Sequence, residues 1–376
     1  MIYKNFKDIK LSSLGMGCMR LPTTGGDVSK IDEEATEKMI DYAIANGVNY
    51  FDTAWGYHEG NSEITVGKIL KKYPRDSFYL ASKFPGYDIS NLGKAEEIFE
   101  EQLRKCQTEY FDFYLFHNVC ELNIDGYLDD KKYGDFSYLL EQKKNGRIKH
   151  LGFSIHGSIN IMNRFLDAYG DHMDFCQIQL NYLDWTLQNA KERVSILKER
   201  NIPIWVMEPV RGGRLANLEE KHSKALTDAR PDEKPVAWAF RFLQSIPEVT
   251  VVLSGMSDFE QVNENIKTFS EDKALNENEL KLLMGVADDM TSKKTLPCTS
   301  CRYCTSYCPQ RLDIPRIIEL YNEQSFSGKG FIVSMAMENT PEDKKPSACI
   351  GCRSCEEVCP QQIKISEMMS DFASTL

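Results

Sequence analysis

The stretch VNYFDTAWGYHEGNSEITVGKILKK, residues 48–72, decides the fold. It opens on the apolar run Val48–Asp52, crosses a polar turn and continues into Ser62–Lys71, where apolar residues recur at helical spacing. A short apolar run reads as a strand and an i, i+3, i+4 recurrence as an amphipathic helix, so this is one strand–helix unit. The unit repeats along the chain. Strand-like runs fall at Leu14–Cys18, Phe78–Ser82, Phe111–Phe116, His150–Ser154, Phe175–Gln179, Pro203–Met207 and Thr250–Ser254. Helical patterns lie between them, at Asp32–Ala45, Lys94–Lys105, Ser158–Ala168, Leu187–Arg200 and Phe259–Phe269. The runs are continuously apolar rather than alternating, as strands are when both faces are covered. Eight such units in under 300 residues predict an α/β fold, a (β/α)8 barrel of the TIM type. A doubly wound open sheet is the alternative, and no G-x-G-x-x-G follows the first strand to support it.

A barrel fills about 250 residues, and the chain has 376, which leaves room for a second unit. Hydrophobic residues make up 42% and charged residues 27%, so a folded core is expected. Asp and Glu outnumber Lys and Arg by 56 to 45, a net charge of −11. That balance argues against a nucleic-acid or anionic-membrane partner, whose phosphates need a basic face. No apolar run reaches the ~18–20 residues of a membrane span, and residues 1–10 lack a signal-peptide core. The expected location is the cytoplasm. Of twelve cysteines, Cys18, Cys106, Cys120 and Cys176 are scattered and read as small buried hydrophobes. The other eight crowd the end of the chain.

The helical run Glu277–Met290 is followed by the polar segment Thr291–Pro297, which reads as a linker. We therefore divide the chain into residues 1–290 and 291–376. In the second unit CTSCRYCTSYCPQ, 298–310, is repeated as CIGCRSCEEVCPQ, 349–361. Each copy runs on into an amphipathic helix, Ile314–Tyr321 or Ile365–Phe372. The spacing is C-x2-C-x2-C-x3-C-P, in which three thiolates wrap one cubane and the fourth points to another. Structural zinc uses four ligands in C-x2-C knuckles and has no need of a third evenly spaced cysteine. The motif resembles that of bacterial-type ferredoxins, twice over. The resemblance implies two 4Fe-4S clusters, one on Cys298, Cys301, Cys304 and Cys359, the other on Cys349, Cys352, Cys355 and Cys308. Helix-like stretches at Ile314–Glu323 and Phe331–Met337 separate the copies, so the closer likeness is to small, mainly α-helical ferredoxin-like domains.

In the barrel, FDTAWGYHEGNSEITVG at 51–67 resembles the signature of the aldo-keto reductases, a likeness that extends over about residues 1–290. It implies a catalytic tetrad of Asp52, Tyr57, Lys83 and His117. Asp52, Lys83 and His117 end the second, third and fourth strands, the barrel face on which active sites are built. Singly, Asp52 could cap a helix, Lys83 could be solvated and His117 could sit quietly in a core; at consecutive strand ends they form a site. In the implied roles Tyr57 is the general acid and Lys83 lowers its pKa. Asp52 holds Lys83, and His117 orients the substrate carbonyl. His58, His150, His156, His172 and His222 lack such company and read as surface or supporting residues.

The same resemblance places Ser154 and Gln179 on the nicotinamide amide, Met207 over its ring and Gly213 at the pyrophosphate. Gly255, Gln261 and Asn265 fall in the adenosine stretch. Gly255 and Gln261 stand where basic residues usually clamp the 2′-phosphate, so the coenzyme is NADPH or NADH, with Arg211, Arg214 and Lys267 the candidate substitutes. The implied activity is an NAD(P)-dependent aldo/keto oxidoreductase acting on a small-molecule carbonyl. The alternative is an iron–sulfur electron-transfer protein that uses its barrel to dock a redox protein partner. A hydride carries two electrons and a cubane accepts one, so the need for a flavin stays open. The cluster unit is expected to pack beside the C-terminal strand ends and partly roof the site.

Overall fold

The structure is a computed structural model that describes residues 1–292, 295–298 and 301–376. Eight parallel strands close a barrel: β3 (Leu14–Gly17), β4 (Tyr50–Asp52), β5 (Tyr79–Phe84), β6 (Phe111–Val119), β7 (Ile148–Ile155), β8 (Phe175–Gln179), β9 (Ile204–Met207) and β10 (Val249–Gly255). Neighbours pair in chain order, and β10 bonds to both β9 and β3 to complete the ring. Each strand lies where an apolar run places it, with ends moved by a few residues. The expected helices are present as well, including Glu33–Ala45, Asn61–Leu70 and Phe259–Phe269.

A hairpin that the sequence reading did not anticipate precedes the barrel, β1 (Tyr3–Phe6) with β2 (Ile9–Ser12). Its four-residue strands are too short to show a period. The Phe6 ring lies 5.6 Å from Phe113, 5.0 Å from Trp205 and 4.9 Å from His150. With Tyr50, Phe175 and Val251 these fill the barrel interior. The hairpin thus plugs the N-terminal end and leaves the C-terminal end as the open mouth. His150 is part of this plug. His58 and His222 are also buried, where the His58 Nε2 accepts from the Leu21 N–H and His222 pairs with Asp289. Cys18, Cys106, Cys120 and Cys176 are buried, as expected.

Beyond helix Glu277–Ser292 a second core forms from helices Ile314–Ser327, Phe331–Glu338 and Ile365–Thr375. Ile317, Ile318, Leu320, Val333, Met369 and Phe372 meet there. Lys293 and Lys294, within the expected linker, and Thr299 and Ser300, within the first cysteine motif, lie outside the described residues. Among the described residues no helix is long and apolar enough to cross a membrane.

Helices Asn61–Leu70 and Ala95–Cys106 approach closely because position 67 is glycine. A Cβ there would lie 2.5 Å from the Cα of Cys106. Backbone cannot yield as a flexible side chain can, so the helices would have to separate. Gly67→Ala should therefore destabilise the barrel by about 2 kcal/mol, read as a lower urea midpoint at constant slope. An unchanged midpoint would contradict this packing.

Candidate active site

The ends of β4, β5 and β6 bring Asp52, Lys83 and His117 to the open mouth, and the turn after β4 adds Tyr57. Lys83 is fully buried. Its Nζ donates to Asp52 Oδ1 at 2.6 Å, to the Thr53 carbonyl at 2.7 Å and to the Tyr57 hydroxyl at 3.3 Å. Burial alone would lower the lysine pKa, but Asp52 and Tyr57 outweigh it and the ammonium is held above its ordinary range. For Tyr57 the balance differs from the sequence expectation. Burial raises the phenol more than Lys83 lowers it, so Tyr57 stays protonated. The His117 ring meets Tyr57 edge-on at 6.0 Å. Burial and then Lys83 push its pKa far down, so the imidazole is neutral, and its buried Nδ1 has no hydrogen-bond partner among the described residues.

Behind Lys83 lies a polar network that motif reading passed over. Glu63 is buried on the inward face of helix Asn61–Leu70 and accepts from Ser82 Oγ and Gln102 Nε2, both at 2.6 Å. Gln102 also donates to the Lys83 carbonyl at 3.0 Å and accepts from Tyr114 at 2.5 Å. The signal was available: Glu63 shares the spacing of Val66 and Leu70, so an acid interrupts an apolar stripe.

A cleft of about 280 Å³ runs from Asp52 and Tyr57 across the ends of β9 and β10. Met207, Gly213, Gly255, Gln261 and Asn265 all line it. Ser154 and Gln179 do not; Gln177, one turn of the pleat earlier on β8, lines it instead. Ser154 Oγ accepts from the Asn118 N–H at 2.8 Å, and Gln179 Nε2 donates to Asp184 at 2.8 Å. Their hydroxyl hydrogen and Oε1 remain for other partners. Two of the candidate phosphate clamps are engaged elsewhere. Arg211 pairs with Asp184 and with Glu323, and Arg214 Nη1 donates to the Phe326 carbonyl at 2.9 Å. Glu323 and Phe326 belong to helix Ile314–Ser327, so this helix lies against the loop after β9. Helix Phe331–Glu338 covers the ends of β6 and β7, where Asn118 donates to Met335 Sδ at 3.3 Å and His156 meets Phe331 edge-on at 6.5 Å. The C-terminal unit thus borders the barrel mouth.

In that unit the cysteines sort into two sets. Cys298, Cys301, Cys304 and Cys359 surround one small cavity, and Cys308, Cys349, Cys352 and Cys355 surround another. Each set draws three thiols from one copy of the repeat and one from the other. Four soft donors placed around a void suit an iron–sulfur cubane. Arg302 and Arg353, equivalent in the two copies, both take φ 62°, so the turns repeat in backbone as well as in sequence.

Comparison with known proteins agrees with this architecture. The sequence model of the Aldo/keto reductase family matches residues 13–287, and that of the 4Fe-4S dicluster domain matches residues 297–363. The chain is 30% identical to "Probable aldo-keto reductase 1" of Glycine max over 212 residues, which covers 54% of this chain and 57% of that protein. It is 25% identical to the uncharacterized oxidoreductase YqkF of Bacillus subtilis over 73% of this chain and 92% of that one. The "NADH-specific methylglyoxal reductase" of Escherichia coli is 27% identical over 55% of this chain and 66% of its own length. Among solved structures, the holo form of aldo-keto reductase AKR11C1 from Bacillus halodurans superposes with a TM-score of 0.62 at 25% identity, covering 76% of this chain and 96% of that one. The chain therefore belongs to the aldo/keto reductase family and carries a 4Fe-4S dicluster domain behind its barrel.

Proposed function

We propose that the chain reduces an aldehyde or ketone with a nicotinamide coenzyme, Tyr57 acting as general acid, and that residues 291–376 hold two 4Fe-4S clusters. One observation carries the reading: Lys83 Nζ sits 2.6 Å from Asp52 and 3.3 Å from the Tyr57 hydroxyl at the end of a cleft that runs across the ends of β9 and β10. When bound, the coenzyme would supply the hydride and the clusters would supply one-electron capacity. Met207 would cover a face of the nicotinamide, with Ser154 and Gln179 or Gln177 toward its amide. Gly213 would face the pyrophosphate, and Gly255, Gln261 and Asn265 the adenosine. The two four-cysteine sets would hold the clusters.

The protein's own groups divide the work. Tyr57 gives its proton to the forming alkoxide, which is far more basic than a phenolate. Lys83 faces the phenolate left behind, and Asp52 and the Thr53 carbonyl keep it from turning away. Neutral His117 offers an N–H to the substrate oxygen without presenting a second charge beside Lys83. A docking scaffold for a redox partner would have no use for this constellation, which favours the enzyme.

Three outcomes are expected. Tyr57→Phe keeps the ring, so it should abolish aldehyde reduction while coenzyme binding persists; methylglyoxal, named for the Escherichia coli relative, is a suitable first substrate. Near-normal turnover in that variant would remove Tyr57 from its role. Protein purified without oxygen should contain about eight iron and eight sulfide per chain, and zinc without sulfide would overturn the cluster assignment. Finally, Gly255 and Gln261 bring no charge, Arg211 and Arg214 are occupied, and Asp258 sets a carboxylate at the start of helix Phe259–Phe269. NADPH should then bind no more than about tenfold tighter than NADH, and a hundredfold preference in dissociation constants would mean that another cation reaches the 2′-phosphate.

A further inference from the structure

The loop after β9 has two sides. Glu208, Pro209, Val210, Gly212 and Gly213 line the cleft. Arg211 turns away from it, into a buried junction with the cluster domain. There its Nε donates to Asp184 Oδ1 at 3.1 Å, its Nη1 donates to Ser327 Oγ at 2.7 Å, and its Nη2 pairs with Glu323 Oε2. Glu323 also accepts from Gln188 Nε2 at 2.8 Å and from Ser327 Oγ at 2.7 Å. Asp184 is bonded in turn by Gln179 at 2.8 Å and by Asn181 at 2.6 Å, and Asn181 donates to the Glu208 carbonyl at 2.9 Å. Both acids and Arg211 are less than a tenth exposed.

The backbone explains why the loop needs such anchoring. Glu208 and Arg211 take φ of 55° and 49°, and Gly212 and Gly213 take 65° and 92°. Residues with side chains rarely adopt the left-handed region, and such a path persists only where its surroundings impose it. On the cleft side the hold is lighter: a Cβ on Gly213 would have no neighbour within 4 Å, and the pair that Arg20 makes with Glu208 at 3.3 Å is partly exposed to water. The stronger hold lies on the other side, in the buried grip on Arg211, where Glu323 supplies one of the two carboxylates.

We propose that Glu323, a residue of the cluster domain, is a positioning residue for the barrel's coenzyme cleft. Through Arg211 it holds the Glu208–Gly213 wall in its left-handed path, and through Arg211 and Asp184 it orients Gln179. The barrel then takes up a pyrophosphate-containing dinucleotide tightly only with the cluster domain seated on it. The inference rests on the reading of this cleft as a nicotinamide-coenzyme site. It adds that the site is built by two domains.

The test uses full-length protein carrying its clusters and reads dissociation constants for NADH and NADPH by fluorescence titration. Glu323→Gln preserves size and removes the charge that holds Arg211. Both constants should rise about tenfold, the worth of one charge-assisted hydrogen bond. The KM for coenzyme should rise in step while kcat falls far less, in protein whose cluster absorbance matches wild type. Arg211→Lys, which replaces the planar fork by a point charge, should shift both constants in the same direction and serves if the first variant folds poorly. Variants that bind both coenzymes within about twofold of wild type would overturn the inference and leave the coenzyme reading standing. A fall in kcat as large as the rise in KM would mark general loosening and also overturn it. A wild-type protein that binds neither coenzyme would remove the reading and the inference together.

Discussion

The site depends on keeping a lysine ammonium charged with no contact to water. Removing such an ion from solvent costs several kcal/mol even after relaxation, and only close, well-directed partners offset that. Lys83 has three: Asp52, the Thr53 carbonyl and the Tyr57 hydroxyl. They come from β4 and the turn that follows it, whereas Lys83 itself sits on β5, so they meet it only when adjacent parallel strands are in register. The pairing of Asp52 with Ala81, two residues before Lys83, supplies that register. Behind the lysine, Gln102 holds its carbonyl, and Glu63 and Tyr114 hold Gln102. A buried network of this kind is stable only when every member is satisfied, which ties the chemistry of the mouth to the helix layer outside the barrel.

The junction between the two units follows the same logic with charges. Helix Ile314–Ser327 turns Ile317, Ile318 and Leu320 to its own core and Glu323 and Ser327 to the barrel. Arg316 faces Glu121 on the barrel side as well. An interface between separate domains is ordinarily polar and modest in size, and this one is polar where it touches the loop after β9. Breaking a buried pair leaves a charge without a partner, so position here is specified more sharply than apolar packing alone would specify it. The consequence for function is that the cleft wall and the cysteine-bearing domain share a residue network.

Much of this was legible along the chain because it is encoded locally. The eight apolar runs mark the strands because a parallel strand is covered on both faces, and the cysteine spacing survives in any conformation. Asp52, Lys83 and His117 could be placed at strand ends because a strand end is a local event. The β1–β2 hairpin escaped because four residues carry no period. Glu63 escaped because a charged residue on a helix is ordinarily read as solvated, and only the packed barrel shows which face is inward.

The amino-acid sequence by itself determined the barrel, the duplicated cysteine unit and the identity of the four residues at the mouth. Tertiary structure alone decided what Arg211 does. From the sequence it was a candidate for a coenzyme phosphate; in the fold it is held by Glu323, 112 residues away. A guanidinium binds whichever carboxylate the topology brings to it, and Coulomb attraction carries no memory of separation along the chain. The same reason governs Tyr57, whose pKa is set by the balance between burial and Lys83. Both depend on how much water the completed fold excludes, a quantity that exists only once the barrel is closed and the second domain is seated on it.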